Sequence, residues 1–320
     1  MMKINYVLLL IVLLTIVGGC GVKTVQQTVE EKYTNVDGNI HSYPLDNNSQ
    51  NLSESIGLYM QYLVLVGDKK TFQLQYDRLM RDFLVEQGEL VFIRWLLTEE
   101  TTVNALIDDV RIITSLYEAG KLFQEPAYEK LAGQLETTIT SVQQSDGFLV
   151  DFYDWSLRMP AERITLSYLI NDYSASNKTK QLLKSIDETA TFFPEYYDTK
   201  KKDYVKNKEV HLIDQLLIAI NREDIGHASS TFQKWVTSEW KSKGELFGRY
   251  NRETQKASVS YESLAIYYYL NLYFTKINEP SMAKEVKQHA EEIASESTLA
   301  GAHFFDYIQY QILLETNTNN

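Results

Sequence analysis

The chain has 320 residues, with 31 basic and 43 acidic side chains and a net charge of −12. That balance works against nucleic acid and anionic surfaces as partners, since both are bound mainly through Lys and Arg. It suits a neutral or cationic substrate. A single cysteine excludes an intrachain disulfide, so stability must come from a packed core, which a chain of this length can bury.

In chain order, Lys3 precedes an apolar run from Tyr6 to Val17, which stops at Gly18-Gly19-Cys20. The run is shorter than the roughly twenty residues of a spanning helix and follows the plan of a secretory signal. A sole cysteine behind small residues resembles the lipobox of bacterial lipoproteins, here Val17-Gly18-Gly19-Cys20. The resemblance implies a lipoprotein signal peptide over 1–19, lipidation at Cys20, and a chain anchored to the outer face of the cell membrane. An ordinary signal or a short anchor would place the remainder outside the cytoplasm as well. Residues 20–50 are polar and aperiodic, which predicts a flexible spacer. Residues 316–320 read as a polar tail.

Between these ends, over 51–315, helical periodicity dominates. Ser53-Glu54 opens a helix running to about Val66, and Gly67-Asp68 closes it. Thr71–Glu86 makes a second helix. Leu106, Val110, Ile113 and Leu116 form one apolar stripe ended by Gly120, and Tyr128, Leu131, Leu135, Ile139 and Val142 form another. Val210, Ile213, Leu217 and Ile220 repeat the pattern, as do Met282, Val286, His289 and Ile293 behind Pro280. Strand-like runs are few, the best being Glu89–Leu96 and Phe148–Phe152. The expectation is one all-α domain.

Acidic residues recur near the starts of alternate helices: Glu54, Asp109, Asp154, Asp214, Glu262 and Asp306. Their spacing is that of helical hairpins of about 50 residues. If alternate helices form an inner ring, their N-termini share one face and these acids converge on one cleft. The helix dipole alone also favours acids in first turns.

Leu52-Ser53-Glu54-Ser55-Ile56-Gly57-Leu58-Tyr59-Met60 resembles the opening motif of the family 8 glycoside hydrolases, keeping its Ser-Glu, Gly and Met. Asn104–Ile112 is similar to the family's Ala-Thr-Asp-x-Asp-x-x-Ile-Ala stretch, with Asp109 at the second aspartate and Ile107 at the first. Ser167-Tyr168 resembles a family Ser-Tyr. Ile213-Asp214-Gln215-Leu216-Leu217 stands where the family has Tyr-Asp-Ala-x-Arg, without the arginine, and Phe305-Asp306-Tyr307 resembles the last Tyr-Asp-Gln. Asp151-Phe152-Tyr153-Asp154 and the segment His303–Tyr310 resemble, more narrowly, a lipoprotein branch that accompanies exopolysaccharide synthases in Gram-positive bacteria. The resemblance implies an (α/α)6 toroid of six hairpins, and inverting, endo-acting hydrolysis of a β-linked secreted exopolysaccharide.

That chemistry needs a protonated carboxyl for the leaving oxygen and a carboxylate roughly 6.5–9.5 Å away to activate water. Glu54 fits the acid, because a glutamate among apolar groups such as Ile56 and Tyr59 is desolvated and keeps its proton. Ser53 could cap its helix. Asp214, inside an apolar stripe, is expected to be the base, with a structural pairing to His211 as the other reading; Glu262 is the alternative base. Asp109 is expected to bind sugar at the cleavage point, a role Asp108 could take instead. Trp95, Tyr153 and Tyr168 are the expected stacking rings, while Trp155, Trp235 and Trp240 read as core or rim. Histidines 41, 211, 227, 289 and 303 lack metal-ligand spacing, so no metal or cofactor is expected. A monomer is expected. Two other classes stay open: a polysaccharide lyase on a helical toroid, and a non-catalytic polysaccharide-binding lipoprotein.

Overall fold

The structure, a computed structural model, describes residues 23–169 and 177–316. The signal segment, Cys20 and the tail beyond Thr316 lie outside the described residues. Helices in chain order are α1 (Val25–Thr28), α2 (Ser53–Leu65), α3 (Lys69–Arg78), α4 (Leu106–Phe123), α5 (Pro126–Val142), α6 (Asn177–Lys184), α7 (Leu212–Asp224), α8 (Ser230–Lys243), α9 (Leu264–Lys276), α10 (Pro280–Ile293), α11 (Glu296–Gly301) and α12 (Phe304–Thr316). Among the described residues, no helix is long and apolar enough to cross a membrane.

These helices form an (α/α)6 toroid. α2 packs on α4 and on α12, α12 on α9, and α9 on α7, while a 3₁₀ turn over Leu166–Tyr168 packs on α7. These are the inner elements. α3 backs α2, α5 backs α4, and α10 backs α9. Short antiparallel strand pairs, such as the hairpin of Leu84–Gln87 with Leu90–Ile93 and the pairing of Glu209–His211 with Arg249–Asn251 across α7 and α8, lead into or out of the helices.

Two hydrophobic clusters fill the ring, one between α1 and α5 and one between α6 and α10. α12 joins them: Phe304, Tyr307, Ile308 and Ile312 enter the first, and Tyr310 and Leu313 the second. Pro280 opens α10 as expected, where its missing N–H costs nothing. Gly120 does not end its helix. α4 continues to Phe123 and is closed by Gln124 in the left-handed region, at φ 55°. Gly120 is instead a close approach, because a Cβ there would overlap the Glu129 side chain of α5.

The flexible spacer expected over 20–50 is corrected from Thr24 onward. Thr24 caps α1 by accepting from the Gln27 N–H, and a π turn over Val29–Tyr33 continues it. His41–Tyr43 then pairs with Asp46–Asn51. Polar residues that suggested disorder are satisfied locally: Asn35 Oδ1 accepts from the Asp37 and Asn39 N–H groups, and Ser42 Oγ donates to Gln50 O. Tyr33 is fully buried, lies 5.1 Å from the Phe304 ring and 5.2 Å from Tyr307, and donates its hydroxyl to Ala302 O at 2.9 Å. This segment packs against α12. Tyr33→Ala is therefore expected to cost about 3–5 kcal/mol in urea unfolding, as large aromatic truncations in cores do. An unchanged midpoint would restore the spacer reading.

Candidate active site

The first turns of the inner helices carry acidic side chains: Glu54 on α2, Asp108 and Asp109 on α4, Asp214 on α7 and Asp306 on α12. Asp154 and Glu262 are not part of this set. Asp154 lies in a hairpin, where Oδ1 accepts from the Ser156 and Leu157 N–H groups. Glu262 precedes α9 and is held by the hydroxyl of Tyr267 and by His289 Nε2 at 2.7 Å on α10. Those contacts turn Glu262 toward the outer layer, so the alternative base is corrected to a residue that ties α9 to α10.

α2 begins at Ser53 because its backbone N–H donates to Trp95 O at 3.0 Å, which joins the helix start to the loop after the Leu90–Ile93 strand. The helix carries no side-chain cap. Ser53 Oγ donates across the ring to Asp108 Oδ2 at 3.2 Å, so the expected capping role is corrected too. Gly57, one turn later, lies against Ile112, where a Cβ would come within 2.9 Å, and this brings α2 and α4 close together. Glu54 thereby faces Asp108. Burial, then the charge of Asp108, push the Glu54 carboxyl up to about 7, with Asp306 adding and Arg111 opposing. A glutamate with that value still carries its proton in much of the molecules at neutral pH, as a general acid requires.

The two adjacent aspartates point to different places, as neighbours on a helix must. Asp108 is buried, and its oxygens accept from Ser53 and from Arg111 Nη1 at 2.9 Å. Asp109 points into the outer layer and accepts from Asn104 Nδ2. Asn104 in turn donates to Gln143 Oε1 and accepts from the Tyr153 N–H. Burial pushes the Asp109 carboxyl far above the ordinary aspartate range. The sugar-binding role expected of Asp109 is therefore corrected to one in the packing of α4 against the end of α5, while Asp108 faces Glu54. Asp108→Asn is expected to collapse activity. Asp109→Asn, which replaces a carboxyl with an amide of the same shape, is expected to stay near wild type in kcat. Parallel kinetics on both variants check the correction.

Asp214 sits half-exposed in the first turn of α7, with His211 Nδ1 3.3 Å from its Oδ2. Tyr168, on the 3₁₀ turn, lies among the acids. After burial, the charges of Asp108, Asp151, Asp214 and Glu54 all act to raise its phenol. Tyr168 is thus within electrostatic reach of carboxyls on α2, α4 and α7. Asp151 opens the Asp-Phe-Tyr-Asp segment. It is buried, accepting from Arg163 Nε and the Thr165 N–H, both at 2.6 Å, and from Thr165 Oγ1 at 2.7 Å, and its backbone O receives the first N–H of α4. It fixes the strand Arg163–Thr165 that delivers Tyr168. Asp306 accepts from Ser263 Oγ and from the Ala265 N–H, capping α9.

Of the expected stacking rings, Trp95 and Tyr168 are half-buried. Tyr153 is corrected to core: it is 8% exposed and stacks on Phe92 at 5.4 Å with an interplanar angle of 5°. Trp155 packs on the same Phe92, Trp235 on Phe192 and Tyr250, and Trp240 on Tyr267 and His289, in line with core or rim. Leu217, at the position of the missing arginine, lines a cavity of about 270 Å³ beneath the acids, and so does Arg111 from α4. Among the described residues, no group of three or more His, Cys, Asp or Glu is arranged to hold a metal ion.

PssZ from Listeria monocytogenes is 36% identical to this chain, with a TM-score of 0.85 over 91% of this chain and 94% of that one. The chain belongs to the PssZ family. A lipoprotein candidate of Bacillus subtilis (strain 168), YdaJ, is 31% identical over 244 residues, 72% of this chain; the match spans 66% of that protein's length. The resemblance to family 8 glycoside hydrolases read from the motifs stands in the fold. The family 8 endoglucanase Cel10 from Klebsiella pneumoniae superposes with a TM-score of 0.66 over 91% of this chain and 98% of that one, at 13% identity. No family model matches the chain.

Proposed function

We propose that this PssZ-family protein is an endo-acting glycoside hydrolase that cleaves a secreted exopolysaccharide with inversion, held at the outer face of the cell membrane by a lipid on Cys20. One observation carries the reading. Glu54, a buried carboxyl pushed up to about 7, stands in the first turn of one inner helix, and the half-exposed Asp214 stands in the first turn of another, both within electrostatic reach of Tyr168. In this reading Glu54 protonates the leaving oxygen, and Asp214 takes a proton from water attacking the opposite face of the sugar. Asp108 orients hydroxyls, and Trp95 and Tyr168 stack on sugar rings. Cel10 is an endoglucanase and YdaJ a lipoprotein candidate, and both point the same way.

A second reading rests on Ile107 and Leu217, which are apolar where the motif has an aspartate and an arginine. In it, the protein holds the polymer without cutting it. The experiment that separates the two is incubation of purified protein with exopolysaccharide from its own organism. The hydrolase reading expects new reducing ends and a steady fall in polymer mass. Tight binding with no reducing ends would favour the second reading.

A further inference from the structure

The acid cluster holds one buried cation. Arg111 lies one helical turn beyond Asp108 on α4, and the ion pair between them has side chains only 10% and 9% exposed. Its Nη1 donates to one oxygen of Asp108, and Ser53 Oγ donates to the other. Ser53 is the residue immediately before Glu54. A continuous path of contacts therefore runs from Arg111 through Asp108 and Ser53 to the helix start that carries the acid. On its other side Arg111 lines the central cavity with Leu217 of α7 and with Tyr268 and Tyr269 of α9. The Tyr269 hydroxyl is held in turn by Gln309 Nε2 of α12 at 3.0 Å.

A buried carboxylate without a partner takes up a proton rather than keep its charge. Asp108 and Glu54 both face this fate, and a second proton on the pair would leave Asp108 neutral. We propose that Arg111 is a positioning residue of the active site, fixing Asp108 as an anion so that the mobile proton of the pair stays on Glu54. This rests on the hydrolase reading for its purpose, not for its physics. The charged and titratable groups near the pair are Asp306 of α12 beside Glu54, Tyr268 and Tyr269 of α9 beside Arg111, and Tyr168, which lies near Asp151 and Asp214 as well. Glu118 and Asp224 stand further down the cavity, where Asp224 is paired with Lys276. None of these supplies a positive charge to Asp108. The arginine is reached from α4, whereas the family motif seats its arginine on α7, where this chain has Leu217.

The test uses the full chain carrying ¹³Cγ-labelled aspartate, with Asp108→Asn to assign the signal. Arg111→Met removes the charge; Arg111→Gln keeps a hydrogen-bond donor without it and serves if the Met variant does not fold; Arg111→Lys keeps the charge. The proposal expects the Asp108 titration midpoint to move to higher pH in the Met and Gln variants and to stay near wild type with Lys. In kinetics, the Met and Gln variants lose kcat roughly a hundredfold with KM little changed, the size seen when a preorganised charge or donor is removed. An Asp108 midpoint that is the same in wild type, Met and Gln variants overturns the proposal. Failure of wild type to release reducing ends would instead overturn the hydrolase reading and leave the titration result standing.

Discussion

Glu54→Gln is expected to lower kcat on the exopolysaccharide by about 10²–10⁴-fold, the usual worth of a positioned proton donor, while KM stays close to wild type because the amide keeps the shape of the site. The loss should depend on the leaving group. A glycosyl fluoride of the same sugar leaves without protonation, so the variant should recover much of its rate on that substrate. The pH profile follows from the same residue. Only the protonated acid works, and its carboxyl is pushed up to about 7, so wild-type activity should fall as pH rises through about 7. Stability has the matching sign. The folded-state value lies above the ordinary 4.5, so the folded chain binds this proton more tightly and loses stability as pH rises from about 4.5 to about 7. Glu54→Gln should therefore melt above wild type at pH 8 and lose that advantage by pH 4. Equal loss on the polymer and on the fluoride would remove Glu54 from the acid role.

The second large effect is at Asp214. Asp214→Asn is expected to lose activity by a comparable factor, about 10²–10⁴-fold, with a different signature. A better leaving group does not replace the base, so the variant should stay slow on the fluoride where Glu54→Gln recovers. Binding of the uncleaved polymer, measured by calorimetry, should persist in both variants, because neither removes Trp95, Tyr168 or Asp108. Recovery of Asp214→Asn on the fluoride would mean that another carboxylate activates water. Glu262 is a poor candidate, tied as it is to Tyr267 and His289.

How far the sequence carried this picture depended on whether the deciding contact was local. α2 and Glu54 could be read directly, since the Ser-Glu pair and the apolar residues behind it lie within one helix. The toroid could be read because apolar stripes at helical spacing, repeated at hairpin length, have few other ways to bury their faces. Asp108 and Asp109 could not be told apart, because neighbouring residues sit about 100° around a helix from each other and only packing shows which points inward. Glu262 was misread for the same reason: its partner His289 is on the next helix, 27 residues away. Tyr153 was misread because its ring is claimed by Phe92, a residue remote in sequence. Arg111 did leave a trace, as an arginine three residues after an aspartate on one helix, a spacing that favours pairing. The segment from Thr24 to Asn51 looked disordered because its polar side chains serve its own turns and its few apolar anchors, Val29, Tyr33 and Ile40, are widely spaced.

The most direct measurement is the anomeric configuration of the first product, followed by ¹H NMR in the minutes before mutarotation. Two carboxyls that act across a water molecule require a single displacement at the anomeric carbon. The freshly released reducing end should therefore carry the anomer opposite to the linkage that was cut, and Glu54→Gln should release it about 10²–10⁴-fold more slowly. Release of the same anomer as the linkage, or no release by wild type, would contradict the account.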